Sequence, residues 1–220
     1  MYRDSLKFGF DAKVVEQTKK AFSKPLAIQE PSKIFASSWT DVFHPDIDKF
    51  RKDMWAIIKM CPQHTFQILT KRPERILDNL PPDWGDGYPN VWLGTSIGNQ
   101  EAVYTRFEAL KDIPAKLRFI SFEPLHEPID FNLDISDILK LGWAIIGGES
   151  GNETGKYRYR PCEMEWIESL LMDLFPLIPV FIKQTGTYLA KKLNLNDRHG
   201  GDFYEWPKNI QIREFPKITT

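Results

Sequence analysis

The sequence contains few cysteines and no long apolar run, and each absence excludes a class of protein. Two of its 220 residues are cysteines, Cys61 and Cys162, which are too few for a disulfide framework or a four-cysteine metal site. Both are expected to be buried small side chains. No apolar stretch approaches the roughly 20 residues needed to cross a bilayer, and the opening MYRDSLKFGFDAKVV has no signal-peptide pattern. We therefore expect a cytoplasmic protein with no membrane segment.

Neither sign of charge dominates. The chain has 29 Lys and Arg residues against 30 Asp and Glu residues, a formal net charge of -1. This balance argues against a protein that holds nucleic acid mainly through phosphate charge, but it allows a local basic patch. The hydrophobic share of 42% suffices for one substantial core. We expect a single domain over residues 1–220, with residues 1–30 as a helical lead-in and residues 185–220 as a polar tail.

Short apolar runs recur along the chain, and each is followed by a polar cluster and then a helical stretch. Their spacing is typical of βα units, which implies parallel strands joined by right-handed crossovers. The predicted strands are Lys33–Trp39, Thr65–Leu69, Val91–Gly94, Leu117–Phe122, Trp143–Ile146 and Val180–Ile182. Apolar residues three and four apart predict helices over Ala12–Phe22, Asp46–Met60, Asn99–Lys111 and Glu163–Leu174, with Asp46 and Asn99 as N-caps.

Two architectures fit six parallel strands, an open doubly wound sheet and a complete or partial (β/α) barrel. A doubly wound sheet places its ligand near two or three strand ends. Here almost every strand ends in polar residues, as expected for a barrel, whose site draws on many βα loops. We therefore predict the α/β class and a partial TIM-like barrel of about six parallel strands.

The motif TKRPE after the second strand gives the strongest local signal. Thr70, Lys71, Arg72 and Glu74 surround Pro73, which suits a first helical turn. The two cations could hold a carboxylate or phosphate group of a substrate. The alternative is a helix start with a solvated ion pair.

Three later strand ends also carry candidate residues. In GGES, Gly147 and Gly148 permit close approach of a ligand, and Glu149 and Ser150 could accept hydrogen bonds, although GxxxxGK[ST] and GxGxxG are both absent. Glu123 in SFEPL and Lys183 in KQTG are candidate catalytic residues for acid or base work. The alternatives are a plain glycine turn and solvated side chains.

Other strand ends supply further candidates for contact with substrate. Asp41 and His44 lie three residues apart, but no HExxH motif and no third ligand is nearby, so a zinc site is not predicted. The remaining candidates are Ser38, Thr95, Ser96, Ser121 and Gln184.

Seven blocks of the sequence together resemble the phage gene product 37 / gene product 68 family, from about Leu6 to the tail. They are KIFASSWTDVFH, CPQHTFQILTKRPERI, NVWLGTSIGNQEA, RFISFEPL, AIIGGESG, FIKQTG and DRHGGDFYEWP. The family is uncharacterised, and the resemblance implies a barrel related to radical S-adenosylmethionine enzymes. Members usually carry three cysteines near the N-terminus, thought to hold an iron–sulfur cluster. By analogy, Glu149 with Gly147 and Gly148 would bind the amino group of S-adenosylmethionine.

The sequence departs from that pattern at the cysteines. No cysteine precedes Cys61, and a cluster of this type needs closely spaced thiolates. Met1 aligns just downstream of the expected cysteine loop, so the resemblance implies a truncated or misstarted enzyme, or a remnant or split subunit. S-adenosylmethionine and an iron–sulfur cluster are expected only if an upstream cysteine segment exists. A missing first strand would leave an open barrel edge for a protein partner to cover.

Three functions therefore compete, and whether the chain is an enzyme stays open. The first is a radical S-adenosylmethionine scaffold that is inactive in radical chemistry. The second is a nucleic-acid or nucleotide binding module, for which the candidate cations are Lys71, Arg72, Arg75, Arg106 and Lys183. The third is a cluster-independent barrel enzyme that uses Glu123, Glu149 and Lys183.

Overall fold

The structure is a computed structural model, and it describes residues 19–36, 40–131, 133–155 and 158–217. Six strands form one parallel sheet. They are β1 Lys33–Ala36, β2 Thr65–Thr70, β3 Val91–Ser96, β4 Leu117–Phe122, β5 Trp143–Gly147 and β6 Val180–Gln184. Each predicted strand is confirmed, although residues 37–39 of the first lie outside the described residues.

The strands lie in the sheet in the order of the chain, from β1 to β6. A doubly wound sheet reverses its strand order at a switch point, whereas a singly wound (β/α) barrel does not. The α/β class and the partial (β/α) barrel architecture are therefore confirmed.

Helices connect the strands largely where the apolar spacing predicts them. They are α1 Lys19–Ala27, α2 Asp48–Met60, α3 Gln100–Ala102, a π-helical turn Val103–Phe107, α4 Glu108–Leu110, α5 Ile135–Ile138, α6 Met164–Leu174 and α7 Gly186–Lys192. Asn99 is the predicted N-cap, and its side chain accepts a hydrogen bond from the Ala102 N–H at 3.0 Å. Of the predicted helix Ala12–Phe22, residues 12–18 lie outside the described residues. None of the helices in the described ranges is long and apolar enough to cross a membrane.

The prediction of Asp46 as an N-cap is wrong. Asp46 lies inside a 3₁₀ turn, Pro45–Ile47, and α2 begins after that turn at Asp48. The His44 ring accepts the Asp46 N–H at 3.2 Å and caps the turn instead. The physical reason is Pro45, which lacks an N–H and suits the first position of a helical turn.

The contacts among described residues separate two compact units. Of the described residues, the first unit holds those from 19 to 94 together with Ile113–Leu117, and the second holds Thr95–Asp112 and those from 118 to 217. In the first unit Trp55, Trp84 and Tyr88 form an aromatic cluster with ring centroids 4.9–6.2 Å apart. Such edge-on and tilted contacts add to the free energy gained by burial.

The second unit has a large apolar core that includes residues of the predicted polar tail. Phe131 contacts the rings of Phe107 and Phe122 at 5.5 and 5.2 Å. Trp206 and Ile210, from the predicted tail, are 3% and 0% exposed in the same core. Residues after 184 therefore form part of the folded unit, through α7 and two 3₁₀ turns, Phe203–Glu205 and Lys208–Ile210.

Candidate functional site

The ends of β4, β5 and β6 bring polar side chains together in the second unit. Glu123 directly follows β4, Gly147 ends β5, and Lys183 is the residue before Gln184, which ends β6. The carboxyl ends of parallel strands meet at one edge of a sheet, which explains how residues far apart in the chain converge. We call this group of residues the strand-end site.

An ion pair lies at the centre of the strand-end site. The Lys183 Nζ donates a hydrogen bond to Glu123 Oε1 at 2.7 Å. The Lys183 side chain is 54% exposed and the Glu123 side chain is 20% exposed. Solvent therefore reaches both side chains. The structure brings together the two residues that the sequence predicts as catalytic.

The two glycines of GGES leave room for neighbouring atoms of the protein. A Cβ on Gly147 would lie 3.4 Å from Cγ and Cδ of Glu123, so the glycine opens space beside that carboxylate. A Cβ on Gly148 would come within 2.2 Å of the Thr185 carbonyl oxygen. Gly148 is thus required by close packing of two backbones, whereas Gly147 borders the ion pair.

Glu149 is held by an arginine that the sequence analysis did not single out. The Arg160 Nε and Nη2 donate to its two carboxylate oxygens at 2.8 and 2.9 Å, and the Arg160 backbone N–H adds a third bond at 2.9 Å. The Glu149 side chain is 10% exposed, against 52% for Arg160. Both carboxylate oxygens are therefore occupied by a bidentate pair.

The side-chain amide of Gln184 binds two residues of the loop that follows β5. Its Nε2 donates to the Gly148 carbonyl at 2.8 Å and to the Ser150 hydroxyl at 2.9 Å. The Gly147 carbonyl accepts the Leu125 N–H at 2.9 Å. The backbone carbonyls of both glycines are thus engaged within the protein. Their predicted role in holding a cofactor stays a prediction.

A second polar cluster forms in the first unit around Asp41. Its Oδ1 accepts from the Thr70 hydroxyl at 2.6 Å and from the Phe43 N–H at 3.0 Å, and its Oδ2 accepts from the Lys71 N–H and from Arg72 Nη1, each at 2.9 Å. Four of the predicted substrate-binding residues therefore meet in one place.

The pKa of Asp41 reflects its surroundings. Burial raises the pKa of this carboxyl, but the hydrogen bonds from Thr70, Lys71 and Phe43 and the charge of Arg72 outweigh burial, and the net pKa lies below the ordinary 3.8. The Arg72 side chain is 35% exposed, so its guanidinium group still reaches solvent. The cluster combines a fixed carboxylate with two cations, Lys71 and Arg72, whose charged groups reach solvent.

The rest of the TKRPE motif and His44 have structural partners. Pro73 begins a 3₁₀ turn, Pro73–Arg75, as its place in a first helical turn predicts, and a second 3₁₀ turn, Leu77–Asn79, follows. Glu74 is exposed on the first of these turns. Arg75 donates to the Phe43 carbonyl at 2.8 Å and pairs with Asp48. His44 caps the Pro45–Ile47 turn.

The remaining predicted substrate residues are buried or lie outside the described part of the chain. Thr95, Ser96 and Ser121 are 0%, 6% and 1% exposed. The carbonyl of Ser96 accepts Arg106 Nη1 at 2.7 Å. Ser38 lies outside the described residues.

The cysteines do not fit an iron–sulfur cluster, whose ligands are thiolates. Both are buried, as predicted, and burial raises the pKa of each thiol, that of Cys162 to about 12. Within the ranges that the structure describes, no three His, Cys, Asp or Glu residues are grouped so as to hold a metal ion.

Comparison with known proteins gives a family but no activity. No curated protein matches the chain, and no solved structure matches it. A protein-family model matches residues 1–212, and that family is described as a protein of unknown function, DUF5131. Because the match spans almost the whole chain, the chain belongs to the DUF5131 family of uncharacterised proteins.

Proposed function

We propose that the strand-end site binds a small ligand that carries both an ammonium and a carboxylate group, as the amino-acid end of S-adenosylmethionine does. The observation that supports it is the exposed Lys183–Glu123 ion pair, with 2.7 Å between Nζ and Oε1. Glu123 would accept hydrogen bonds from the ligand's ammonium group, and Lys183 would donate to its carboxylate. Gly147 leaves the adjacent space open.

The energetics favour exchange of this ion pair for a ligand. An ion pair at the surface contributes about 0–1 kcal/mol, and the Lys183 side of this pair is 54% exposed, so that this side chain can turn to solvent or to a ligand at small cost. A bound aminocarboxylate would then make two charge-assisted hydrogen bonds, which are stronger than neutral ones. The Glu149–Arg160 pair is less suited to this role, because both oxygens of its buried carboxylate are already held.

We also propose the radical S-adenosylmethionine type of scaffold and the phage origin that the family resemblance implies. The cytoplasmic location expected from the sequence is part of the same proposal. It does not include radical chemistry by this chain, since its two cysteines are buried and burial raises the pKa of both thiols. Anaerobic reconstitution with iron and sulfide should give no stoichiometric cluster, judged by iron and sulfide content. One cluster per chain would contradict this part of the proposal.

Titration calorimetry with S-adenosylmethionine tests the binding site directly. We expect the wild-type chain to bind, and Glu123→Gln and Lys183→Gln each to bind about tenfold more weakly, because each removes one charge-assisted bond. The matched control is Lys191→Gln, which breaks an exposed ion pair with Glu153 in the same unit. Absence of wild-type binding, or binding that neither site variant changes, would contradict the proposal.

The nucleic-acid alternative has weaker support. Arg72 pairs with Asp41 and Arg75 pairs with Asp48, so two of the five candidate cations already face a carboxylate of the protein. The Glu123 carboxylate beside Lys183 would repel a phosphate, which brings no ammonium group for it. Oligonucleotides belong in the same calorimetric series. Tighter binding of an oligonucleotide than of S-adenosylmethionine would make the binding module the correct function.

Of the residues considered for a cluster-independent enzyme, two keep an accessible geometry. Glu123 and Lys183 lie within hydrogen-bond distance of one another, and both side chains reach solvent. The carboxylate of Glu149 is enclosed by Arg160 and does not reach a ligand. Catalysis by Glu123 and Lys183 stays a prediction.

A protein partner at the outer edge of β1, where Phe35 is 44% exposed, is likewise part of the proposal.

A further inference from the structure

The β6 strand contains a bulge at the residue that forms the central ion pair. Ile146 of β5 is in register with Ile182, and the next residue, Gly147, is in register with Gln184. Lys183 is therefore the extra residue on β6, opposite no residue of β5. A bulge of this kind bends the strand and redirects a side chain. Here the redirected side chain is the one that reaches Glu123.

The carbonyl groups around the bulge point in an unusual pattern. In a regular strand successive carbonyls alternate in direction, but the carbonyls of Ile182 and Lys183 are both bound by Arg213, by Nε at 3.0 Å and by Nη2 at 2.9 Å. The next carbonyl, that of Gln184, turns to β5 and accepts the Gly148 N–H at 3.1 Å. Arg213 thus satisfies the carbonyl that the bulge removes from the ladder.

Arg213 is itself held in place by the segment after α7. Its Nη2 also donates to the Gly201 carbonyl at 2.9 Å. Its guanidinium group lies over three rings, at 4.8 Å from the centroid of Trp206, 5.3 Å from Phe203 and 5.5 Å from Phe181. Contacts of a guanidinium group with ring faces are favourable. The position of Arg213 is therefore determined from several sides.

The same segment fixes the backbone on either side of the bulge. The Ile212 carbonyl accepts the Ile182 N–H at 2.9 Å, and the Gly200 carbonyl accepts the Thr185 N–H at 2.9 Å. A Cβ on Gly200, whose φ is +64°, would overlap the Thr185 side chain, so this approach requires glycine. Lys183 lies between these two anchored positions.

We infer that Arg213 is a positioning residue for the strand-end site: it holds the β6 bulge in the form that directs Lys183 to Glu123. It acts through the backbone, because its guanidinium group donates to main-chain carbonyls rather than to the side chains of the ion pair. The expected effect on ligand binding rests on the proposed function. Loss of Arg213 should weaken ligand binding even though Glu123 and Lys183 are both still present.

The test has one readout without ligand and one with it. In lysine-labelled protein, the ¹³Cε resonance of Lys183, assigned from its loss in Lys183→Arg, should shift on Glu123→Gln. In an Arg213→Gln background that shift should be reduced at least about twofold, because residues that interact show non-additive effects. Arg213→Lys keeps the positive charge but loses the bidentate guanidinium donor, so in this background the shift should be intermediate. This variant also serves as the test protein if Arg213→Gln does not fold. Arg118→Gln removes an arginine bond to the Lys140 carbonyl in the same unit and is the control.

Calorimetry with S-adenosylmethionine gives the second readout. We expect binding about tenfold weaker for Arg213→Gln, partial recovery for Arg213→Lys and no change for Arg118→Gln. A Lys183 shift on Glu123→Gln that is undiminished in both Arg213 variants overturns the inference, whatever the ligand result. A diminished shift with no wild-type binding supports the inference and contradicts the proposed function instead.

Discussion

Replacement of Asp41 by asparagine should test the cluster in the first unit. Asp41 accepts four hydrogen bonds, two at each oxygen. The asparagine side chain would keep one oxygen for Thr70 and Phe43 and turn an NH₂ group toward the donors of Lys71 and Arg72. Hydrogen bonds to a charged group contribute about 1.5–3 kcal/mol each. Because Lys71 and Arg72 both reach solvent and recover part of this in water, we expect Asp41→Asn to lower the free energy of unfolding by about 2 kcal/mol.

The loss should depend on pH with a definite sign. The folded pKa of Asp41 lies below the ordinary 3.8, so the carboxylate stabilises the fold fully above pH 3.8. That contribution disappears as the pH falls through the lower, folded pKa. The amide of the variant does not titrate. The difference between the two proteins should therefore be about the same at neutral and mildly acidic pH and shrink below pH 3.8.

Urea unfolding followed by tryptophan fluorescence measures this difference. The matched control is Asp78→Asn, an exposed carboxylate in the same unit, which should change the free energy of unfolding by less than about 0.5 kcal/mol. If Asp41→Asn costs no more than the control at neutral pH, or if its cost persists unchanged well below pH 3.8, the account of the Asp41 cluster is incorrect.

Two further predictions concern GGES and the buried thiol. In urea unfolding, Gly148→Ala should lower the free energy of unfolding by about 2 kcal/mol or more, because its Cβ would lie 2.2 Å from the Thr185 carbonyl oxygen. Gly147→Ala, whose nearest contact is at 3.4 Å on Glu123, should change stability little and weaken ligand binding. Equal stability of the two variants would be inconsistent with this geometry. At mildly alkaline pH, Cys162 should resist iodoacetamide in the folded protein and react with it in urea, since the residue is fully buried and its pKa is raised to about 12. Labelling of Cys162 in the folded protein, detected by mass spectrometry, would refute this prediction.

Local signals account for most of the fold. The strands are short β-branched and aromatic runs, and the spacing of βα units predicts that they are parallel. The polar residues at almost every strand end favoured the barrel order over the doubly wound one. The structure also brings together Glu123 and Lys183, two predicted site residues that lie at the ends of β4 and β6, although their function stays a prediction. The departure at Asp46 is local too, since Pro45 favours a short 3₁₀ turn where the apolar spacing predicts the start of the helix.

The arginines that organise the strand ends left no such signal. Arg160 and Arg213 pair with groups that are distant or irregularly spaced in the chain, and no periodicity marks such pairs. Trp206 falls in the predicted polar tail because it lies among polar residues, and no local pattern shows that its indole N–H meets the Gly200 carbonyl within an irregular loop. Neither pattern is visible without the fold.

The pairing of Ile212–Glu214 with β6 has a consequence for shortened forms of the protein. The Glu214 N–H donates to the Val180 carbonyl, and Arg213 pairs with Phe181 of β6 in an antiparallel β-bridge. The Glu214 carbonyl accepts the Trp143 indole N–H. Residues 212–214 thus cover the free edge of β6, which would otherwise offer unpaired donors and acceptors to other molecules. Forms that end before residue 212 should self-associate through this strand at concentrations where the full chain stays dispersed.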